Sequence, residues 1–308
     1  MERRRLGTTD LELTPVGVGT APIGSGRDWP VWWGPQDERE SLAAVHRALD
    51  LGVNWIDTAP FYGWGRAEEI VGRALAGRRD DVLLFTKCGT FPDESGSRMD
   101  LRPESVRSDV EASLRRLRTD RLDLVQFHDV DAETPIEESW GELQRLVDEG
   151  KIRHGGISNH PAEAVERALS VGPVGALQYQ YSLLYRVHEG DILPLAEQHG
   201  IGVLTWSPLG GGFLADDFDL DTLDADDYRR RHPFAQLELA PLRETLRAIG
   251  ERHERSAAQV ALAWVLRHPA VAGAIVGIRN EREAEQLPGV ADLQLDPDEL
   301  QKIESAAP

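Results

Sequence analysis

Cysteine is nearly missing from this chain of 308 residues, in which Cys88 is the single example. One cysteine excludes an internal disulfide and a cysteine-rich zinc site, and it fits a reducing compartment. Long apolar runs are missing too, since none approaches the ~20 residues that cross a bilayer. The start, MERRRLGTTD, has charge but no apolar segment after it, so no secretory signal is predicted. We therefore expect a cytoplasmic protein that does not enter a membrane.

Basic residues are in the minority. Fifty-three acidic side chains against 34 lysines and arginines give a formal net charge of −19. Such a surface repels polyanions, which argues against nucleic acid as a partner, although a local basic pocket could hold a small phosphorylated ligand. An apolar fraction of 41% with 28% charged residues is ordinary for a globular enzyme. No metal site is expected.

Short β-rich runs alternate with segments of helical periodicity along the chain. The strand candidates are residues 16–20, 53–57, 82–87, 122–128, 152–158, 175–180, 201–207 and 273–278. Eight strands, mostly separated by helices, predict an α/β fold of the (β/α)8 TIM barrel type. An open doubly wound sheet is the main competitor. Its glycine fingerprint is missing, because Pro22 stands where the third glycine is needed.

Several element ends carry sequence signals. Residues 4–17 alternate polar and apolar around a Thr-Asp pair, which predicts a short N-terminal β-hairpin that caps the bottom of the barrel. Pro103 and Pro135 mark helix starts, and Thr134 is predicted to cap the second of these helices. Neither a linker nor a repeat is visible, so residues 1–308 are predicted to form a single domain.

Two long segments lack periodicity, residues 24–37 after the first strand and residues 214–236 after the seventh. The first contains three tryptophans, and the second is acidic and then basic. Loops of this length in a compact domain are usually functional or disordered. Both leave the strand ends at which barrel enzymes keep their chemistry.

Four polar residues are predicted to meet at that rim. Asp57, Lys87 and His128 end the second, third and fourth strands, and Tyr62 lies in the loop after Asp57. An ammonium beside a phenol favours the phenolate, which lowers the pKa of the phenol and eases proton transfer. A carboxylate beside a buried lysine keeps that lysine charged, and the imidazole can orient a substrate oxygen. The set is suited to giving a proton to a carbonyl oxygen.

These residues belong to segments with a recognisable order. The segments are GVNWIDTAPFYG, LLFTKCG, LDLVQFHDVD, EGKIRHGGISN, TWSPLGGGFL and AIVGIRN. In order and separation they resemble the aldo-keto reductases, over almost the whole chain. The resemblance implies a (β/α)8 barrel that binds a nicotinamide cofactor without a Rossmann domain. It also implies that Asp57, Tyr62, Lys87 and His128 form the catalytic tetrad, with Tyr62 as general acid.

Cofactor contacts follow from the strand ends and from the same resemblance. The predicted contacts are Gly19, Thr20, Ser158, Asn159, Gln178, Trp206, Ser207, Leu209, Gly210, Gly211, Gly277, Arg279 and Glu283. Hydroxyl and amide groups suit a nicotinamide carboxamide, and the glycines let backbone amides approach a pyrophosphate. Arg279 can pair with a ribose 2′-phosphate, which favours NADP(H) over NAD(H), while Arg282 fits that role and a solvated helix surface equally well. Glu283 and Leu287 depart from the residues that relatives often carry at the adenosine end.

The substrate pocket is predicted from the aromatic residues Trp29, Trp32, Trp33 and Phe61. Flat aldehydes, ketones and sugars would stack on such rings, although the tryptophans could equally pack the loop. The predicted function is reduction of aldehydes or ketones to alcohols. Two alternatives remain open: a sugar or polyol dehydrogenase that works mainly in the oxidative direction, and a regulatory barrel that binds the cofactor without turnover.

Overall fold

A computed structural model describes residues 1–308, the whole chain. The chain begins with an antiparallel hairpin of β1 (Arg4–Arg5) and β2 (Glu12–Leu13). The turn between them contains the predicted Thr-Asp pair, and the Thr9 hydroxyl donates to the Leu6 carbonyl at 2.7 Å. The N-terminal hairpin is therefore confirmed.

Eight parallel strands close into a barrel, as predicted. They are β3 (Val16–Gly19), β4 (Trp55–Asp57), β5 (Leu83–Cys88), β8 (Leu122–Phe127), β9 (Ile152–Ser158), β10 (Ala176–Gln180), β11 (Gly202–Trp206) and β12 (Val271–Gly277). Each strand pairs with its barrel neighbours in chain order, and β12 closes onto β3. A closed parallel sheet has no exposed edge, and all its carboxyl ends form one rim.

Ten helices accompany the strands. They are α1 (Glu38–Asp50), α2 (Arg66–Ala74), α3 (Pro103–Leu117), α4 (Ile136–Asp148), α5 (Ala162–Leu169), α6 (Ile192–His199), α7 (Ala240–His253), α8 (Ala257–Leu266), α9 (Glu281–Ala284) and α10 (Pro297–Ala306). None of them combines the length and the apolar character needed to cross a membrane. The prediction of Thr134 as a helix cap is wrong, because the capping position of α4 is Pro135. The Thr134 hydroxyl instead donates to the Asp131 carboxylate at 2.7 Å.

The hairpin closes the bottom of the barrel. Leu6, Leu11 and Leu13 are at most 1% exposed and pack with residues that point into the barrel. Those inner residues are Trp55, Phe85, Leu124, Ala176, Leu204, Ala272 and Ile275. Burying a leucine stabilises a fold by roughly 1.5–3 kcal/mol, so the hairpin fills the lower barrel and leaves the upper rim for polar groups.

The two long loops pack against each other at the upper rim. The Tyr228 amide donates to the Trp32 carbonyl at 2.9 Å, and the Tyr228 ring packs edge-on against Trp33 at 4.7 Å. Arg27 is paired with Asp224 and Asp226 at 3.8 and 3.4 Å. A second hairpin, β6 (Thr90–Asp93) with β7 (Gly96–Met99), was not predicted. Its strands are short and none of their residues is buried, so they carry little alternation of apolar residues.

Candidate active site

One buried ammonium joins three of the four predicted rim residues. Lys87 Nζ donates to Asp57 Oδ1 at 2.5 Å and to the Tyr62 hydroxyl at 3.2 Å. A third bond, of 3.1 Å, goes to the Thr58 carbonyl. The side chains of Lys87 and Asp57 are each only 1% exposed. A buried charge is tolerated when it is paired and hydrogen-bonded, and every proton of this ammonium has an acceptor.

Strand register brings these groups together. Asp57 of β4 lies beside Phe85 of β5, whose ring packs inside the barrel. Side chains alternate along a strand, so Lys87, two residues further on, points inward and lies one layer nearer the rim. Tyr62 follows in the loop after β4, where its amide donates to the Ala59 carbonyl at 3.1 Å. A strand pair and a short turn therefore create the site.

The second oxygen of Asp57 has its own partners. Gln178 Nε2 donates to Asp57 Oδ2 at 2.9 Å and to Gln126 Oε1 at 3.2 Å. Gln126 Nε2 lies 3.4 Å from the same carboxylate oxygen. Sequence reasoning missed Gln126, although its place two residues before His128 on a buried strand is a usable signal. Gln178, predicted to hold the cofactor, has its amide nitrogen committed to Asp57.

His128 lies beside this hydrogen-bonded chain. Its ring is edge-on to Tyr62 at 5.8 Å and to Phe61 at 5.6 Å. The backbone is held at both ends: the His128 amide donates to the Cys88 carbonyl at 3.1 Å, and Asn159 Nδ2 donates to the His128 carbonyl at 2.9 Å. Ring atom Nδ1 is buried without a partner. Burial and the Lys87 charge hold the pKa of His128 well below its ordinary value, so the imidazole is neutral.

Burial dominates the protonation of the phenol and the amine. Burial raises the pKa of Tyr62, and the neighbouring Lys87 opposes this only in part. The expectation of a phenol with a lowered pKa is therefore not met in the buried site. Burial pulls the pKa of Lys87 down, but the charges and hydrogen bonds of Asp57 and Tyr62 outweigh it, and the net pKa is raised. The ammonium thus stays charged and the phenol protonated at neutral pH.

The turn after β11 is built from residues with left-handed backbones. Ser207, Gly210, Gly211 and Gly212 have φ angles of 53°, 62°, 73° and 97°. Glycine alone adopts such angles without steric cost. The Gly210 and Gly212 amides donate to the Ser207 and Leu209 carbonyls at 2.9 and 3.2 Å, which leaves the Gly211 amide for a ligand. Leu209 precedes the glycines and packs against the core. The segment predicted to hold a pyrophosphate is therefore a tight glycine turn in which the Gly211 amide has no protein acceptor.

Several other predicted cofactor residues already have protein partners. Asn159 Oδ1 accepts from Trp206 Nε1 at 3.1 Å, while its amide nitrogen holds His128. The Thr20 hydroxyl donates to the Asp57 carbonyl at 3.0 Å, and Gly19 pairs with Asp57 and Gly277 in the sheet. Ser158 differs from them, because its hydroxyl oxygen is buried without any hydrogen-bond partner. A buried unpaired hydroxyl is costly, which makes Ser158 a candidate contact for a ligand.

The end of β12 holds one arginine and one carboxylate. Arg279 Nε donates to Gln36 Oε1 at 2.9 Å, and its Nη2 donates to the Pro35 carbonyl at 2.5 Å. Glu283 Oε2 accepts from the Arg279 amide at 2.7 Å, and burial raises the pKa of this carboxyl. Asp217 pairs with the largely exposed Arg282 at 2.7 Å. Arg279, which is predicted to bind a 2′-phosphate, therefore has the Glu283 carboxyl group hydrogen-bonded to its own backbone amide.

The predicted substrate residues divide into two groups. Trp29 is 3% exposed and lies edge-on to Phe61 at 5.4 Å and to Tyr62 at 6.0 Å.

Trp33 contacts the other long loop instead, through Tyr228 and the Arg229 guanidinium, which lies 5.0 Å from its ring. Trp32 lies under Arg27, also at 5.0 Å. Trp29 and Phe61 therefore border the tetrad, whereas Trp32 and Trp33 join the two loops. Sequence reasoning missed the edge-on contact of Trp64 with Phe61 at 5.3 Å.

Comparison with known proteins agrees with this architecture. The Aldo/keto reductase family profile matches residues 15–308. A probable aldo-keto reductase of Glycine max is 32% identical over 99% of this chain and 88% of its own. An aldo-keto reductase of Bacillus subtilis is 33% identical over 98% of this chain and 92% of its own.

Solved structures agree as well. A glycerol dehydrogenase from Gluconobacter oxydans has a TM-score of 0.88 and 36% identity, over 99% of this chain and 94% of that one. An aldo/keto reductase from Klebsiella pneumoniae in complex with NADP and acetate has a TM-score of 0.79 and 27% identity, over 100% and 96%. The fold and its buried rim cluster define a (β/α)8-barrel oxidoreductase. The chain belongs to the aldo/keto reductase family.

Proposed function

We propose that this protein is an NADP(H)-dependent oxidoreductase that reduces aldehydes or ketones to alcohols, with Tyr62 as general acid. The observation that supports this most directly is the Lys87 ammonium, which is hydrogen-bonded both to Asp57 at 2.5 Å and to the Tyr62 hydroxyl at 3.2 Å. When Tyr62 gives up its proton, the phenolate forms next to a fixed positive charge. Because the charge is already in place, no reorganisation is needed as the phenolate develops.

The residues around the tetrad fit a nicotinamide cofactor. The Ser158 hydroxyl is buried without a partner, and Trp206 is held in position by Asn159. In the glycine turn at residues 210–212, the Gly211 amide has no protein acceptor and can donate to a pyrophosphate. We propose that these residues hold the cofactor, and when bound the nicotinamide supplies the hydride that no side chain can supply. The Klebsiella relative is a complex with NADP, which supports the cofactor class.

Each member of the tetrad then has a distinct task. Tyr62 donates its proton to the substrate oxygen, and Lys87 stabilises the phenolate that remains. Asp57 keeps Lys87 charged in a site that excludes water. His128 is neutral, and its Nδ1 atom is buried without an acceptor, so we assign the ring proton to Nε2. That N–H can donate to the same substrate oxygen and orient the carbonyl.

Oxidation of an alcohol or polyol is the second candidate, and one observation favours it. The Gluconobacter relative, 36% identical, is named a glycerol dehydrogenase. The same residues catalyse the reverse reaction, oxidation of an alcohol, if Tyr62 begins as a phenolate and accepts the alcohol proton. Because the pKa of Tyr62 is raised by burial, the oxidative rate should climb as the pH rises above neutrality, whereas the reductive rate, which needs the protonated phenol, should gain nothing from that rise.

A matched pair of tyrosine variants tests the proposal. Tyr62→Phe removes the hydroxyl and keeps the ring, so NADPH oxidation with a panel of aldehydes should fall by about 10²–10⁴-fold. NADPH binding should persist in this variant. Tyr185→Phe, at a tyrosine that is 36% exposed, is the control and should retain the parent rate. Initial rates and cofactor fluorescence titrations measure both quantities.

Three outcomes separate the alternatives. Undiminished turnover in Tyr62→Phe means that another group donates the proton. Faster turnover of polyols with NADP⁺ than of aldehydes with NADPH, at one pH, assigns the oxidative direction. Binding of NADPH without turnover of any carbonyl or alcohol assigns a regulatory barrel.

A further inference from the structure

A second buried polar cluster lies behind Lys87, on the outer face of β5 where helices α2 and α3 pack. Its charged members are Glu68 of α2 and Asp109 and Arg116 of α3. Glu68 is 0% and Asp109 6% exposed. Burying two carboxylates beside one guanidinium costs stability, and the proposed reaction does not use any of these groups.

Hydrogen bonds connect this cluster to the strand that carries Lys87. Glu68 accepts from the Thr86 hydroxyl and from Arg116 Nε, each at 2.6 Å. Asp109 Oδ1 lies 3.9 Å from Arg116 Nη2. The other oxygen, Asp109 Oδ2, accepts from the Gly89 amide at 3.0 Å. Thr86, just before Lys87, and Gly89, just after Cys88, are therefore both hydrogen-bonded to carboxylates of this cluster.

The Gly89 amide belongs to a peptide group with a second bond. The carbonyl of the same peptide group, that of Cys88, accepts from the His128 amide at 3.1 Å. A peptide group is planar, so fixing its N–H also fixes its C=O. Asp109 is thus linked through one rigid unit to the backbone of His128, and that unit begins one residue after Lys87.

The conformation of Gly89 explains why the Cys88–Gly89 peptide group needs a hydrogen-bond partner outside its own strand. Gly89 has a φ of 95°, and a Cβ atom there would lie 2.3 Å from Leu101 Cδ2. The turn therefore requires glycine, which is the residue with the least intrinsic conformational restriction. A buried carboxylate that grips the glycine amide compensates for that freedom.

We propose that Asp109 is a positioning residue for the reaction proposed above. Its carboxylate orients the Cys88–Gly89 peptide group and, through it, holds Lys87 and His128 in register with Tyr62. The inference rests on the proposed function for its kinetic readout, but the positioning itself is a property of the free protein.

The groups that face Asp109 make its charge sensitive to pH. They are Glu68 from α2, Arg116 from its own helix and the buried Cys88 thiol from β5. Burial raises the pKa of Asp109 to about 7, with Glu68 adding to the effect and the Gly89 amide and Arg116 opposing it. A protonated carboxyl accepts the Gly89 hydrogen bond more weakly. Reduction should therefore slow as the pH falls through about 7, above the range in which His128 becomes charged.

Three variants test this in single-turnover NADPH oxidation with saturating aldehyde. Asp109→Ala removes the acceptor and should slow the reaction about tenfold or more, which corresponds to ~1.4 kcal/mol of barrier. Asp109→Asn keeps a neutral acceptor that does not titrate, so its rate should match that of the wild type at low pH, within about threefold of the wild-type maximum, and should not change with pH near neutrality. Ser113→Ala removes a partner of Arg116 in the same cluster without touching the peptide group, and should leave rate and profile unchanged.

A measurement without turnover separates this inference from the proposed function. The His128 ring resonances are followed by NMR against pH, assigned by their loss in His128→Asn. In the free wild-type protein they should shift as the pH passes about 7, and in Asp109→Asn they should not. This result would support Asp109 as a positioning residue even if no carbonyl were reduced.

Other results overturn the inference. One is a folded Asp109→Ala with the wild-type single-turnover rate and pH profile. Another is a Ser113→Ala variant that loses as much activity as Asp109→Ala, because the effect would then be general loosening of the cluster. A His128 titration that is identical in wild type and Asp109→Asn would also overturn it.

Discussion

At the scale of single residues, the site combines a paired charge with groups kept neutral by burial. Lys87 remains charged because Asp57 and Tyr62 outweigh desolvation. Tyr62 and His128 stay neutral because desolvation dominates. The neutral phenol is the form that reduction needs, so its raised pKa does not conflict with a role as proton donor.

Cofactor preference is the first prediction at this scale. Arg279→Ala should weaken NADP(H) binding by about ten- to a hundredfold while NAD(H) changes little, because a charge-assisted bond is worth ~1.5–3 kcal/mol. Glu283→Gln should act in the opposite direction and tighten NADP(H) several-fold, since it removes a carboxylate that is hydrogen-bonded to the Arg279 amide at 2.7 Å. Fluorescence titration with both cofactors measures the four affinities.

Arg282→Ala is the matched control for these cofactor variants. Its side chain is 80% exposed and paired with Asp217, so both affinities should stay close to those of the parent protein. Equal losses for NADP(H) and NAD(H) in Arg279→Ala would show that this arginine supports the loop through Gln36 and Pro35 rather than reading a 2′-phosphate.

Sequence reasoning identified the residue types of the tetrad but not all of their partners. The positions of Asp57, Lys87 and His128 at strand ends could be read from apolar runs that stop at a polar residue. The partners of Asp57, Gln126 and Gln178, come from β8 and β10, and their pairing with Asp57 of β4 follows only from barrel register. The same holds for Asn159, which holds His128 and Trp206 instead of presenting free amide groups.

At the scale of elements, the N-terminal hairpin acts as a plug for the barrel. Leu13→Ala should lower the free energy of unfolding by about 2–5 kcal/mol, because a fully buried leucine leaves a cavity when truncated. Glu12→Ala, one residue away on the exposed side, should change it by less than ~0.5 kcal/mol. Urea denaturation followed by circular dichroism measures both. Similar small effects for the two variants would mean that the hairpin is not part of the cooperative core.

Element prediction succeeded for the barrel strands and the N-terminal hairpin, and it failed for the hairpin outside the barrel. The eight barrel strands follow from apolar runs, and the starts of α3 and α4 follow from Pro103 and Pro135. The hairpin formed by β6 and β7 escaped prediction because none of its strand residues is buried, so little apolar alternation marks it. Nor could the packing of the two long loops be foreseen, since their contacts link residues about 200 positions apart, such as Arg27 with Asp226.

At the scale of the whole molecule, excess negative charge should make stability depend on salt. With a formal charge of −19, the folded state repels itself at neutral pH. Raising NaCl from about 10 to about 150 mM shortens the screening length from ~30 to ~8 Å. The free energy of unfolding should therefore increase with salt at about pH 7.5, as measured by urea denaturation.

The control for this salt effect is the same titration near the isoelectric point of about 4.9. Net repulsion vanishes there, and salt screens only the favourable ion pairs, so stability should stay level or fall. A fall with salt at both pH values would show that surface ion pairs, such as Arg107 with Glu149 at 2.7 Å, outweigh net repulsion.

The sequence by itself determined the barrel class, the order of its strands and the residue types at its rim. These features depend on local alternation of apolar and polar residues and on capping signals, which are written within short windows. Only the tertiary structure decided which groups are paired, neutral or charged. Hydrogen-bond partners and desolvation depend on residues far apart in the chain, as in the bond from Gly89 to Asp109 or from Gln178 to Asp57.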